Sequence, residues 1–151
     1  MQLTDHYSLE QLTTNGRHPE IPNVLPAAWL DRAKRVAMKL EQAREILGVE
    51  LRTSYGYRCE ALNKACGGSP TSDHMNMLAA DFNPLGLSRV DAFRKLWSDP
   101  HFMEGVDQLI FERGCLHVGL GARIRHQGRG DMPHYPLLAV WPEPLPDVLV
   151  T

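Results

Sequence analysis

"VDQLIFERGCLHVGL", residues 106–120, is the stretch on which the fold turns. Two alternating runs, 106–111 and 115–120, flank a break of three residues, Glu112, Arg113 and Gly114. A glycine-containing break of that length between alternating runs marks a β-hairpin. In the second run Leu116, Val118 and Leu120 share one face, and Cys115, His117 and Gly119 share the other. The three aliphatics identify the core side. His117 therefore stands on the opposite face, beside a glycine that leaves room above the sheet.

Upstream, "SPTSDHMNMLAADF" (69–82) holds His74 and, seven residues later, Asp81. "LAADF" reads as a short strand, with Ala79 and Asp81 on one face. A carboxylate in a strand bounded by Phe82 is expensive to desolvate unless it is paired or bound to a cation. One Asp and two His form a known type of three-ligand metal site with a position left open for water. Spacing alone does not bring His74, Asp81 and His117 together. A lone histidine is more often a surface or hydrogen-bonded residue.

The other elements follow from period and punctuation. Ser8 followed by Gln11 is a capping box opening a short helix, and "TNGRHPEIPN" beyond it is irregular. From Pro26, apolar residues recur at three- and four-residue steps from Leu30 to Leu47, and Gly48 closes the run. "VELRTS" (49–54) is a strand, "EALNKAC" a short helix, and Ser88 with Asp91 caps a helix burying Val90, Phe93, Leu96 and Trp97. Past Gly121, "ARIRHQGRGDMPHYP" is loop-like and "VWPEPLPDV" is too rich in proline for a central strand. Helices flanking a small, mostly antiparallel sheet make the fold class α+β. The expected division is a domain over 1–125 and a proline-rich tail over 126–151, packed on it or extending from it.

With 43% hydrophobic and 23% charged residues, disorder is not the default. A net charge of −2 argues against a general nucleic-acid binder, and the three arginines of "RIRHQGRGD" read as a solvated loop. Nothing approaches a membrane span of roughly 18 apolar residues, and "MQLTDHYSLEQ" is too polar for a signal peptide. The expectation is a chain made in the cytoplasm and delivered to any outside target by other means. Cys59, Cys66 and Cys115 are odd in number and lack zinc-knuckle spacing, which points to reduced thiols.

"TSYGYRCEALNKACGGSPTSDHMNMLAADF" followed by "DQLIFERGCLHVGL" resembles the zinc D-alanyl-D-alanine carboxypeptidase and phage endolysin superfamily, of the hedgehog/DD-peptidase fold, in its small phage-type members. The matching residues are Gly56-Tyr57-Arg58, Asn63, Gly67-Gly68-Ser69, Ser72, His74, Ala79, Asp81 and His117, and the resemblance runs from about Leu9 to Arg125. It implies one Zn²⁺ held by His74, Asp81 and His117. It also implies that Arg58 donates to a substrate carboxylate or developing oxyanion, and that Ser72 helps anchor the substrate. For Arg58 the bland alternative is a surface ion pair; for Ser72 it is a helix cap.

Four positions depart from the family pattern. Met77 stands where a glycine is usual, which would reshape the loop or partly cover the metal. Tyr55 replaces the serine before Gly-Tyr-Arg. Cys115 replaces a tryptophan and is a candidate extra soft ligand, although a small buried thiol is the plainer reading. Gly114 occupies the position of the usual glutamate base; the resemblance to phage-type members, which often carry a glutamate just upstream, implies Glu112 in the hairpin turn as the base, and the bland alternative is a solvated turn charge. Asp107 and His101 are weaker substitutes, and His126 and His134 fall in the tail.

The resemblance implies a metallopeptidase acting on peptidoglycan stem peptides, without nucleic-acid or membrane partners. Its activity would be D-alanyl-D-alanine carboxypeptidase or L-alanyl-D-glutamate endopeptidase, of a phage lysis or virion-associated type. The four departures motivate a second reading, a non-catalytic module of this fold that binds zinc or cell wall. Oligomeric state is not legible in the sequence.

Overall fold

The computed structural model describes residues 1–112 and 114–121, and the backbone of 127–130. Within them the class is α+β, as the sequence indicates. The capping box at α1 (Leu9–Leu12) forms in full: Ser8 Oγ accepts from Gln11 N–H, and Gln11 accepts from Ser8 N–H. After a single 3-10 turn, Ala27–Trp29, the long helix α2 (Leu30–Leu47) ends at Gly48. Its buried face is Ala33, Val36, Ala37, Leu40, Ala43 and Leu47, the period read from the sequence.

Strand β1 (Leu51–Tyr55), helix α3 (Glu60–Ala65), a 3-10 turn at Asp73–Asn76 and strand β2 (Ala79–Pro84) come next. Helix α4 (Arg89–Trp97) is capped by Ser88 as expected. Helix α5 (Pro100–Met103) was not foreseen, although its signal is present. Asp99 caps it by accepting from Phe102 N–H at 2.8 Å, and Pro100 takes a first-turn position where no N–H is needed.

The hairpin forms as β3 (Gln108–Phe111) and β4 (Leu116–Gly119), its turn closed by Glu112 N–H on Cys115 O at 2.9 Å. The sheet order is β1-β2-β4-β3-β5, antiparallel except that β5 (Gln127–Gly130) runs parallel to β3. Strand β5 lies inside the segment read as loop-like. Its glycines carry no alternating pattern, yet an edge strand needs only backbone groups to pair. The remainder of that segment and the tail from 131 onward lie outside the described residues.

One sheet face is the core. Ala80 and Phe82 of β2, Leu109 and Phe111 of β3, and Leu116 and Val118 of β4 are buried there against α2 and α4. Phe93 stacks on Trp97 and meets Phe111 edge-on. Asp81 and His117 point to the other face. The strand parity read from the sequence thus holds. Among the described residues no helix is long and apolar enough to cross a membrane.

One core group lies under strain of a polar kind. Tyr7 is buried and its hydroxyl has no hydrogen-bond partner among the described residues. Burial, and then the charge of Glu41, push its pKa up to about 12 from 10.0. Below pH 10 the phenol is protonated in both states; between 10 and 12 only the unfolded chain ionises, so stability falls as pH rises. Tyr7→Phe is expected to unfold in urea at pH 8 no more easily than wild type. At pH 11 it should be more stable by about 1 kcal/mol.

Candidate active site

The site is built from four segments that hold one another. In the turn after β1, the Gly56 carbonyl accepts from His74 Nδ1 at 2.6 Å, and Arg58 N–H returns a bond to His74 O at 3.1 Å. Glycine is required at 56 because a Cβ there would come within 2.6 Å of the Leu12 carbonyl oxygen. Asn23, from the irregular N-terminal stretch, clasps this turn: its amide donates to Tyr57 O at 2.8 Å and its oxygen accepts from Cys59 N–H at 2.8 Å. Nothing local in the sequence marks that role, since the partners lie more than 30 residues away.

Ser72 caps the 3-10 turn that carries His74, accepting from His74 N–H at 3.3 Å. Asn63, buried, donates to Ser69 O at 2.9 Å and fixes the Gly67-Gly68-Ser69 loop. A Cβ at 68 would come within 2.1 Å of the Asn63 side-chain oxygen, so any larger residue would displace the amide that holds Ser69.

These constraints bring His74, Asp81 and His117 to one point. Asp81 and His117 are paired directly across β2 and β4. Asp81 Oδ1 lies 2.8 Å from His117 Nδ1 and 3.1 Å from His74 Nε2, and the two ring nitrogens are 3.2 Å apart. All three residues are buried. Burial pushes His74 below its usual pKa even though Asp81 opposes it. For Asp81 burial works upward, but the imidazoles of His74 and His117 override it and hold the carboxyl well below the usual range.

The tautomer of His74 tests whether a cation fits here. A carbonyl oxygen can only accept, so Nδ1 facing Gly56 O carries the proton and neutral His74 keeps a lone pair on Nε2. That lone pair points at a carboxylate oxygen and a second ring nitrogen. Against Asp81 Oδ1 that lone pair meets another acceptor, a pairing that a cation between the two would satisfy. The trio could therefore hold a metal ion, with the Gly56 carbonyl orienting one ligand from behind.

Above the trio lies a cleft of about 440 Å³ whose lining includes Arg58, Ser72, Asp73, Gln108, Glu112 and His117. Arg58, 11% exposed, donates to Asp81 Oδ2 at 3.3 Å. Glu112 is exposed, and one of its carboxylate oxygens lies within 4.8 Å of an Asp81 oxygen and of Cys115 Sγ. Its backbone is pinned, with Arg89 donating to Glu112 O and Asn83 to Gly114 O at 2.9 Å. The half-buried Cys115 thiol donates to Glu112 at 3.6 Å; burial first, and then the charges of Asp81 and Glu112, keep it protonated.

The weaker candidates are not brought into the cleft. His101 sits exposed on α5 beside Glu104. Asp107 is buried near Gly121. His126 and His134 lie outside the described residues. Asp73 and Gln108 line the cleft but carried no signal of their own, each being a neighbour of a motif residue.

A family model described as Peptidase M15 matches residues 9–111. The chain belongs to the peptidase M15 family. The matched span covers His74 and Asp81 and stops one residue before Glu112. Glu112 and His117 lie beyond the matched span, and the β3–β4 hairpin places both beside Asp81. A search of curated proteins found no match.

Met77 resolves differently from its expectation as a cover for the metal. It adopts φ 52°, ψ 45°, the left-handed conformation, so the backbone keeps the shape a glycine would give. Its side chain is fully buried in the hydrophobic core and does not line the cleft. The left-handed backbone costs a non-glycine residue about 1 kcal/mol, which burial of the side chain offsets. In urea unfolding, the expected order of stability is wild type, then Met77→Gly, then Met77→Ala. Alanine keeps the strain and loses the packing, so it should fall about 2–4 kcal/mol below wild type.

Proposed function

We propose that the protein is a zinc-dependent peptidase that hydrolyses peptidoglycan stem peptides, of a phage lysis or virion-associated type acting on the cell wall after delivery. The observation carrying this reading is the buried convergence of two ring nitrogens and one carboxylate oxygen under an open cleft. Membership of the peptidase M15 family supports the hydrolytic part.

The donor set and its spacing suit zinc. Tetrahedral bonds of about 2.0–2.1 Å hold donor atoms about 3.3 Å apart, close to the 2.8, 3.1 and 3.2 Å found here. Zinc held by His74, Asp81 and His117 would polarise the scissile carbonyl and lower the pKa of water toward about 7.

The chain's own residues then divide the work. Glu112 takes the proton of the attacking water on a carboxylate oxygen and returns it to the departing amine nitrogen. Its exposed position in a turn with a pinned backbone suits a group that must reach both atoms. Arg58 offers donors to the developing oxyanion or to a terminal carboxylate, in a fork that lysine would not reproduce. Ser72, already committed as a cap, contributes a hydroxyl at the cleft wall. Cleavage of either a D-alanyl-D-alanine or an L-alanyl-D-glutamate bond fits this arrangement.

The test is a digest of purified sacculi by the zinc-loaded protein, following release of new amino groups. Glu112→Gln should lower the rate by about 10²–10⁴-fold while retaining one zinc per chain. His117→Ala should lose the zinc together with the activity. Zinc bound in the wild type with no hydrolysis, and no difference on Glu112→Gln, would instead favour a zinc- or wall-binding module without catalysis.

A further inference from the structure

We infer that Tyr55 is a positioning residue that holds Arg58 against Asp81, and thereby restricts Asp81 to one oxygen toward the metal position. The inference rests on the metal-site reading above for its second half only. Strand register supplies the first observation. Thr53 pairs with Phe82, but Tyr55, two residues on, pairs with Asp81, one residue back, so the ladder carries an irregularity between them. Such a bulge re-aims side chains, and here it leaves Tyr55 directly opposite Asp81.

The second observation is what holds Arg58. Its Nη2 donates to Asp81 Oδ2 at 3.3 Å, while its Nε is buried with no hydrogen-bond partner among the described residues. The guanidinium carbon lies 5.1 Å from the centroid of the Tyr55 ring, within range of a cation–π contact. Among the described residues the ring and the carboxylate are thus what hold it. Tyr55 is fixed in turn at its far end. Its hydroxyl packs onto Gly16, where a Cβ would approach within 2.1 Å, and Cys66 and the backbone of Arg17 lie beside it.

The two oxygens of Asp81 have separate duties. Oδ1 faces the imidazoles and Oδ2 faces Arg58. A guanidinium held on Oδ2 keeps the carboxylate from rotating to present both oxygens. Partners of ligating carboxylates are typically worth 10–100-fold in metal affinity, and a group acting through such a partner should be worth less.

The experiment compares wild type, Tyr55→Phe and Tyr55→Leu as full-length chains. In the metal-free proteins, the NMR resonance of the Arg58 Nε–H should show an aromatic ring-current shift in wild type and Tyr55→Phe, lost in Tyr55→Leu. In chelator competition, Tyr55→Leu should bind zinc roughly three- to tenfold more weakly. Tyr55→Phe, which keeps the ring over Arg58 but loses the hydroxyl contacts at its far end, should lose less than Tyr55→Leu, and adding Tyr55→Leu to Arg58→Ala should cost nothing further. An Arg58 resonance indifferent to Tyr55→Leu would overturn the inference. So would equal zinc losses in the Phe and Leu variants, or losses that add to that of Arg58→Ala. A wild type that takes up no zinc would sink the metal-site reading, and the Arg58 resonance would still decide whether Tyr55 holds it.

Discussion

A carboxylate taken out of water is among the costliest groups a small domain can bury, and Asp81 sits at the centre of a sheet with 5% of its surface exposed. Three side chains converge on it from different elements. His74 arrives from a 3-10 turn, His117 from the neighbouring strand and Arg58 from the turn after β1. Removing any one leaves charge or lone pairs unmatched in a region of low dielectric, where breaking such a set costs more than forming it gains. The placement of these elements is therefore coupled through one side chain. The apolar face of the same strand, Ala80 and Phe82, ties that coupling to the main core.

The polar half of the site is held less by side-chain packing than by backbone groups. The Gly56 carbonyl fixes the ring of His74, and the His74 carbonyl fixes the Arg58 backbone, so each turn completes the other. Close approach of Gly56 to Leu12, and of Gly68 to Asn63, lets these loops pack without intervening side chains. Short polar loops stapled in this way replace the hydrophobic packing that the open face of the sheet lacks.

How much of this was legible depended on whether the information is local. The face of α2, the caps at Ser8 and Ser88, and the parity of His117 and Asp81 follow from periods of 3.6 and 2, and the structure reproduces them. The convergence of His74 with the other two was suggested by a family pattern, because contacts across 43 residues leave no local trace. Asn23 went unread for the same reason, and β5 because an edge strand of glycines and polar residues has no pattern to read. Met77 misled in a more instructive way. A residue type that disfavours φ > 0 suggested an altered loop, yet the buried thioether stabilises the glycine-like backbone, and the departure is absorbed into the core.

The groups around the cleft differ in how firmly they are held. His117 and Asp81 are carried by paired strands and His74 by a turn bonded at both ends, so their donor atoms have little freedom. Glu112 belongs to the hairpin connection instead. Its main chain is tied by Arg89 and closed onto Cys115, while among the described residues its side chain has a weak thiol contact to restrain it. A glutamate at the Gly114 position would sit elsewhere on the same turn. At 112 the carboxylate comes within 4.8 Å of an Asp81 oxygen. Moving an acidic group two residues along a hairpin turn does not remove it from the site. What the turn must preserve is its closure, since that closure sets which way residue 112 points.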